Sequence, residues 1–95
     1  MEEAKVSSLS IKVNNKVGLH ARPAAEFVKI AASFPCDIQV KNSASNSDFV
    51  NAKSILGVLT LGVNQGHTII VSAEGEQADE AIDALKKLIE SDFGE

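Results

Sequence analysis

The spacing of the apolar residues switches along the chain between the period of a strand and the period of a helix, and this alternation constrains the fold most strongly. Leu9, Ile11 and Val13 are separated by single polar residues, which predicts a half-buried strand. Over residues 21–34 the apolar side chains instead fall at helical spacing, and Pro23 lies in the first turn, where a missing N–H costs nothing. A strand followed by an amphipathic helix is therefore predicted.

The remainder of the chain continues this alternation. A β-hairpin, a short helix capped by Ser54, a strand and a terminal helix are predicted over residues 37–41 and 49–52, 54–59, 68–73 and 78–89. The order is β-α-β-β-α-β-α. Strands with one apolar face and helices with one apolar stripe bury these surfaces most simply in two layers, which predicts an α+β fold. The pattern leaves the order of the strands in the sheet open.

The length and charge of the chain limit its partners. Its 95 residues provide for a single domain, residues 1–95. The net charge of −4 disfavours nucleic acid and anionic membranes as partners. No apolar run approaches the ~20 residues that span a bilayer, and the acidic N-terminus does not resemble a signal peptide. A cytoplasmic protein is expected.

Metal and cofactor sites are not expected. Cys36 is the single cysteine, so no intramolecular disulfide can form. His20 and His67 lie far apart in the sequence, which makes a structural zinc site hard to build. The chain contains four Phe and neither Trp nor Tyr, whereas cofactor pockets usually rely on more aromatic surface.

His20 lies where a glycine-containing loop meets the start of the predicted helix. A helix N-terminus presents unpaired N–H groups and a partial positive charge, which bind anions and disfavour the charged form of a nearby imidazole. Arg22 supplies a guanidinium that can hold phosphate oxygens, while Pro23 stiffens the first turn. A neutral imidazole here can attack a phosphoryl group and later release it. These residues are compatible with phosphoryl carriage on His20, with Arg22 as a clamp.

Less specific interpretations of the same residue types stay open at this point. A single histidine at a helix N-terminus is commonly a surface residue or an incidental cap without a covalent role. His67 precedes a predicted strand, has no charged neighbour in sequence and is expected to be exposed. Cys36, between Pro35 and Asp37, is expected to be a bystander thiol.

Residues 18–24 (GLHARPA) resemble the active-site signature of the histidine-containing phosphocarrier (HPr) family of the bacterial phosphoenolpyruvate-dependent sugar phosphotransferase system. A second block, residues 53–62 (KSILGVLTLG), resembles the regulatory serine segment of that family. The resemblance extends from about residue 8 to the C-terminus. Two separate motifs in the family's order, on a chain of the family's length, support the assignment.

The resemblance implies a fold and a set of partners. The fold is an open-faced β-sandwich, in which a four-stranded antiparallel sheet carries three helices on one face. His20 would accept a phosphoryl group at Nδ1 from phosphorylated enzyme I and donate it to IIA domains of sugar transporters. Ala21 and Arg22 would bind the phosphate at the helix N-terminus. The chain would be a monomeric carrier without a cofactor, and not a turnover enzyme.

The resemblance also points to a docking surface and to regulation. Apolar side chains around the family's second helix contact partner proteins, which indicates Ala25, Ile55, Leu56 and Leu59 here. Ser54 matches the regulatory serine, so an HPr kinase/phosphorylase and a transcriptional co-regulator are possible partners. A phosphate on Ser54 would place charge inside the docking surface and repel an acidic partner. The capping role of Ser54, worth about 1 kcal/mol, is compatible with this regulation.

Two alternative functions stay open at the level of the sequence. A paralogue of the same fold would serve a regulatory branch, such as nitrogen-related control, in which phosphorylation feeds no sugar uptake. A small α+β binding module would use no covalent chemistry at His20. The chain departs from the family in an N-terminal extension, residues 1–7, and in a slightly long hairpin loop, residues 42–47. Neither departure includes a motif residue.

Overall fold

A computed structural model describes residues 5–45 and 47–94, which form the seven predicted elements in the predicted order. The elements are β1 (Val6–Lys12), α1 (Ala21–Ala32), β2 (Asp37–Asn42), β3 (Val50–Asn51), α2 (Ile55–Thr60), β4 (Thr68–Glu74) and α3 (Ala78–Glu90), followed by a 3₁₀ turn (Asp92–Gly94). The return strand of the hairpin is shorter than predicted. Part of the predicted hairpin loop, residue 46, lies outside the described residues.

The four strands form one antiparallel sheet in the order β1-β4-β2-β3. Val71 in β4 lies opposite Leu9 of β1 on one side and opposite Val40 of β2 on the other. Because side chains alternate across a sheet, this register places the apolar residues of three strands on the same face. The sequence pattern left this strand order open. The first strand, β1, lies at an edge of the sheet and pairs with the last strand, β4, which lies inside the sheet.

The helices cover this apolar face. α3 packs against β1 and β4, while α1 packs against α3 and α2. Phe27 of α1 and Leu85 of α3 are fully buried, and burial of such a side chain contributes about 1.5–3 kcal/mol. The opposite face of the sheet carries polar side chains such as Ser10 and Gln39, which are exposed. The α+β open-faced sandwich with three helices on one face is thus confirmed.

The first helix ends two residues earlier than the predicted range of 21–34. Its C-cap is Ser33, whose hydroxyl donates to the carbonyl oxygen of Ile30 over 2.6 Å. The residue preceding a proline is driven away from helical angles, so Phe34 cannot extend the helix towards Pro35. The helix therefore stops at Ala32.

The first strand begins at Val6, inside the segment that was predicted to be an N-terminal extension, residues 1–7. Val6 lies opposite Glu74 and Ser7 opposite Ala73, so both belong to β1. Lys5 lies before the strand, and its Nζ is 2.6 Å from the Asp79 carboxylate at the start of α3. Residues 1–4 of the predicted extension lie outside the described residues.

Of the helices that the structure describes, none combines the length and apolar character needed to cross a bilayer.

Candidate functional site

His20 is the N-cap residue of α1 and is half-buried. Its backbone is extended, with φ −122° and ψ 156°, and Ala21 then adopts a left-handed φ of 48°. Within the described residues, the His20 side chain makes no capping hydrogen bond to the helix. The imidazole therefore does not accept a hydrogen bond from the first-turn N–H groups, which argues against its interpretation as an incidental cap.

Asn64 fixes one nitrogen of the His20 ring. The Nε2 atom of His20 lies 3.2 Å from Oδ1 of Asn64, which belongs to the loop between α2 and β4. An amide oxygen is only an acceptor, so Nε2 carries the hydrogen and donates it. In a neutral imidazole the other nitrogen then holds the lone pair. The contact with Asn64 thus leaves the lone pair of a neutral His20 ring on Nδ1.

The loop before His20 is held from two sides. Asn15 is buried, and its Nδ2 donates to the carbonyl oxygen of Gly18 over 3.0 Å. The N–H of Leu19 donates to the carbonyl oxygen of Val63 over 3.0 Å, which joins this loop to the loop that carries Asn64. Leu19 itself is fully buried and anchors the backbone next to His20. Hydrogen bonds and the buried Leu19 side chain thus join the two loops at the start of α1.

His67 is not the exposed residue that its sequence context predicts. It is half-buried, and its Nδ1 accepts from the backbone N–H of Asn64 over 3.1 Å. Nδ2 of Asn42 lies 3.2 Å from the same Nδ1, and Asn42 is one of the buried polar residues of the chain. Asn64 lies only three residues before His67, whereas Asn42 comes from a distant part of the chain, at the end of β2.

Arg22 and Ala21 are exposed on the first turn of α1, next to His20. No acidic residue occupies this first turn, so the positive end of the helix dipole is not neutralised from within the helix. Pro23 is buried at the third helical position, which fixes the turn against the core. The structure thus brings the predicted phosphate-binding residues to the helix end at which His20 lies.

Ser54 is the N-cap of α2, as the sequence predicted. Its Oγ accepts from the backbone N–H of Gly57 over 3.2 Å. Three apolar side chains of α2 are exposed, with Leu56 at 74 %, and α2 contacts α1, on which Ala25 is also exposed. We call the exposed side chains of Ile55, Leu56 and Leu59 the α2 apolar surface.

A metal site and a ligand-binding concavity are the other kinds of site to consider among the described residues. No three His, Cys, Asp or Glu side chains in residues 5–45 and 47–94 come together as a metal site. A shallow concavity lies on the sheet between β2, β3 and β4, with Gln39, Asn51 and Ser72 among its lining residues. Neither His20 nor Arg22 lines it, and the chemistry predicted for the chain does not require it.

Comparison with known proteins gives the same family throughout. The family model described as the PTS HPr component phosphorylation site matches residues 7–91. The chain is 42 % identical over 88 residues to the phosphocarrier protein HPr of Pseudomonas aeruginosa, covering 93 % of this chain and 96 % of the relative. It is 41 % identical over 95 residues to the multiphosphoryl transfer protein of Haemophilus influenzae, of which it covers only 19 %, with all of this chain aligned.

A solved structure shows the same similarity. HPr-C-His from Thermoanaerobacter tengcongensis superposes with a TM-score of 0.87 at 50 % sequence identity, and the match covers 94 % of this chain and 97 % of that chain.

Proposed function

The chain belongs to the HPr family of phosphocarrier proteins of the phosphotransferase system, and from this we propose that His20 accepts a phosphoryl group from phosphorylated enzyme I and donates it to IIA domains of sugar transporters. The single observation that carries this proposal is the hydrogen bond between His20 Nε2 and Asn64 Oδ1, which leaves the lone pair on Nδ1.

The proposed transfer is a displacement at phosphorus. Nδ1 of His20 attacks the phosphorus atom, an N–P bond forms, and the bond between phosphorus and the donor atom breaks with its electron pair returning to the donor. Nε2 keeps its hydrogen during this step, so the ring gains positive charge. The Oδ1 atom of Asn64 already faces that N–H and stabilises the charge. The reverse displacement passes the group to the acceptor.

Ala21 and Arg22 bind the phosphoryl oxygens in this proposal. Both are exposed beside His20, where the N–H groups of the first turn and the guanidinium offer donors to an anion. The side chain of His20 does not occupy those N–H groups, as far as the described residues go. Binding at this helix end compensates the charge that arrives with the phosphoryl group.

The α2 apolar surface, together with Ala25, is the proposed docking site for enzyme I and the IIA domains. Leu56 is 74 % exposed and Ile55 and Leu59 are more than a third exposed, so one short helix exposes three large apolar side chains, as interaction sites do. Since α2 packs on α1, this surface adjoins the helix that begins at His20. A partner seated there meets the His20 end of α1.

Ser54 is the proposed regulatory residue. It lies immediately before the α2 apolar surface, so a phosphate on its Oγ adds close to two negative charges at the edge of the docking site. The proposal includes an HPr kinase/phosphorylase as the modifying protein and a transcriptional co-regulator as a reader of the modified form. It also includes a cytoplasmic, monomeric carrier, one that does not turn over a substrate by itself.

The experiment is incubation with enzyme I and phosphoenolpyruvate, followed by mass measurement of the intact protein. The wild type should gain one acid-labile phosphoryl group, and His20→Ala should gain none. Arg22→Ala should accept the group more slowly. Arg22→Lys is the control variant, since it keeps the positive charge but loses the planar set of guanidinium donors. A wild type that gains no phosphoryl group contradicts the carrier role.

The phosphorylated protein should then be mixed with a sugar IIA domain. Rapid donation supports the sugar branch. Absence of donation, after successful uptake on His20, would assign the carrier to a regulatory branch instead.

A further inference from the structure

Asn64 contacts the His20 ring although the two residues lie far apart in the sequence. Its side chain is exposed, yet its Oδ1 reaches back to a ring 44 residues earlier in the chain. Ordering an exposed amide side chain costs conformational entropy. A fixed backbone at Asn64 lowers that cost and favours the contact with His20. What holds that backbone is visible in the structure.

His67 holds Asn64 through a single ring nitrogen. Nδ1 of His67 accepts from the N–H of Asn64 over 3.1 Å and lies 3.2 Å from Nδ2 of Asn42. The N–H of His67 donates to the carbonyl oxygen of Asn64 over 3.0 Å, which closes the turn. Both contacts place a donor at Nδ1, so the tautomer of the His67 ring that fits them carries its hydrogen on Nε2.

Asn42 anchors this turn to the sheet. It is only 1 % exposed and ends β2, and its Nδ2 also donates to the carbonyl oxygen of Leu61 over 3.1 Å. Its Oδ1 accepts from the N–H of Ala44 over 2.9 Å. Because both ends of the Asn42 amide have partners, its orientation is fixed, and the fixed amide in turn locates the His67 ring.

We propose that Asn64 is a positioning residue for phosphoryl transfer and that His67, through Nδ1, keeps Asn64 in place. This inference deepens the proposed function and rests on it. A hydrogen-bonded chain then runs from the buried Asn42 through His67 and Asn64 to the Nε2 of His20. It sets both the tautomer and the rotation of the His20 ring, so that Nδ1 faces the approaching phosphorus.

Loss of Asn64 should affect the ring without unfolding the protein. Without the Oδ1 acceptor, the His20 ring can turn about its Cβ–Cγ bond and either nitrogen can carry the hydrogen. One neutral hydrogen bond contributes about 0.5–1.5 kcal/mol, which corresponds to a fall of about two- to tenfold in the rate of phosphoryl uptake.

The test measures the ring directly in the unphosphorylated protein. The nitrogen chemical shifts of the His20 imidazole, from ¹⁵N–¹H correlation spectra at a pH where the ring is neutral, report which nitrogen carries the hydrogen. The wild type should show it on Nε2 alone. Asn64→Ala should show exchange between both tautomers with an unchanged unfolding temperature, and Asn64→Asp, which keeps an oxygen at the same place, should show the wild-type pattern.

His67 is tested by a matched pair. His67→Asn places an amide oxygen where Nδ1 stood, so its His20 spectrum and its uptake rate from enzyme I should match the wild type. His67→Phe keeps a ring but no acceptor, so it should behave as Asn64→Ala does; His67→Ala replaces it should the larger ring unfold the protein. Equal uptake rates and equal tautomers in wild type and Asn64→Ala would overturn the positioning role.

The two proposals fail separately. The tautomer measurement needs no phosphoryl donor, so it decides the role of Asn64 even if the wild type accepts no phosphoryl group. Unchanged His20 tautomers in His67→Phe, with changed tautomers in Asn64→Ala, would remove His67 from the chain of contacts and leave Asn64 in it.

Discussion

Gly18 lies so close to Val63 that a β carbon at position 18 would come within 2.2 Å of the Val63 carbonyl oxygen. The same β carbon would lie 2.8 Å from the Cα of Asn64. Gly18 also has a left-handed φ of 64°. This glycine therefore lets the loop that carries His20 approach the loop that carries Asn64.

Gly18→Ala should separate the two loops. The overlap is with backbone atoms that cannot rotate away, so the variant should lose about 2–4 kcal/mol of unfolding free energy and much of its phosphoryl uptake. Gly62→Ala is the matched control: its φ is 61°, but a β carbon there would meet no described atom within 4 Å. It should lose only about 1 kcal/mol. Similar losses in urea denaturation of both variants would contradict the close-approach argument.

Ala21→Gly should stabilise the protein. Ala21 has a φ of 48°, a conformation that costs an L-residue with a β carbon roughly 1 kcal/mol more than it costs glycine. Ala25→Gly is the control, since Ala25 is exposed in the middle of α1 and glycine there should cost about 0.5–1 kcal/mol. Thermal unfolding should thus shift in opposite directions for the two substitutions. A fall in both would place the strain elsewhere.

Two substitutions of Ser54 distinguish the loss of its helix cap from the addition of a negative charge. Ser54→Ala removes the acceptor for the N–H of Gly57 and should cost about 1 kcal/mol, while phosphoryl uptake by the folded protein stays near that of the wild type. Ser54→Asp keeps a capping oxygen and adds a negative charge, so it should fold stably but take up the phosphoryl group from enzyme I more slowly. Uptake as fast as in the wild type would argue against the regulatory role.

Leu56→Ser should weaken partner binding without destabilising the fold. Leu56 is 74 % exposed, so its removal leaves no cavity in the protein alone. Burial of a leucine at an interface contributes about 1.5–3 kcal/mol, which predicts roughly a 10- to 100-fold weaker affinity for enzyme I by calorimetry. Val6→Ser, at an exposed apolar residue of β1 with 61 % exposure, should leave that affinity unchanged. Equal effects of both would remove Leu56 from the docking site.

The ion pair between Lys5 and Asp79 should confer a pH dependence on stability. The hydrogen bond from Lys5, with a further one from Ser7, lowers the pKa of the Asp79 carboxyl, and Asp79 in turn raises the pKa of Lys5. The aspartate contribution is present above its ordinary pKa, about pH 4, and is lost as the pH falls through the lowered value. The lysine contribution is present below about pH 10.4 and is lost as the pH rises through the raised value.

Chemical denaturation of the wild type and of Asp79→Asn at a series of pH values checks this. The difference in unfolding free energy should be small but positive between those limits, should vanish at the acid end, and should shrink in high salt because both groups are exposed. A difference that persists at pH 2 would mean that Asp79 stabilises the protein without its charge.

The sequence predicted the longer strands and helices because each has an apolar face with a clear period. Val71 and Phe27 are examples: their spacing fixes the face on which they lie, and both are fully buried. The short elements β3 and α2 were predicted from the turn residues before β3 and the Ser54 cap, and the 3₁₀ turn (Asp92–Gly94) was not predicted. The period says nothing about which strands pair, so the position of β1 beside β4 could not be read from it. The left-handed Ala21 was equally hidden, since only the surrounding backbone imposes that angle on an alanine.

Only those residues of the site that lie close together in the sequence could be predicted. His20, Arg22 and Pro23 lie within four positions of each other, and local chemistry at a helix end links them. Asn64 joins the site from a distant loop, and its sole sequence signal is its location in a turn between two glycines, which many turns share. His67 looked exposed because one of its partners, Asn42, comes from a distant strand, and the other is a backbone N–H within its own turn, which side-chain patterns do not reveal.

The pairing of β1 with β4 has a consequence for how the chain reaches its structure. Lys12 ends one strand and its partner Thr68 begins the other, so more than half of the 95 residues separate β1 from β4, the strand it pairs with among the described residues. Closing so large a loop is costly, and contacts so distant in sequence slow folding. During synthesis β1 therefore cannot pair in the sheet until β4 has been made, and its apolar face is covered only after α3 has followed.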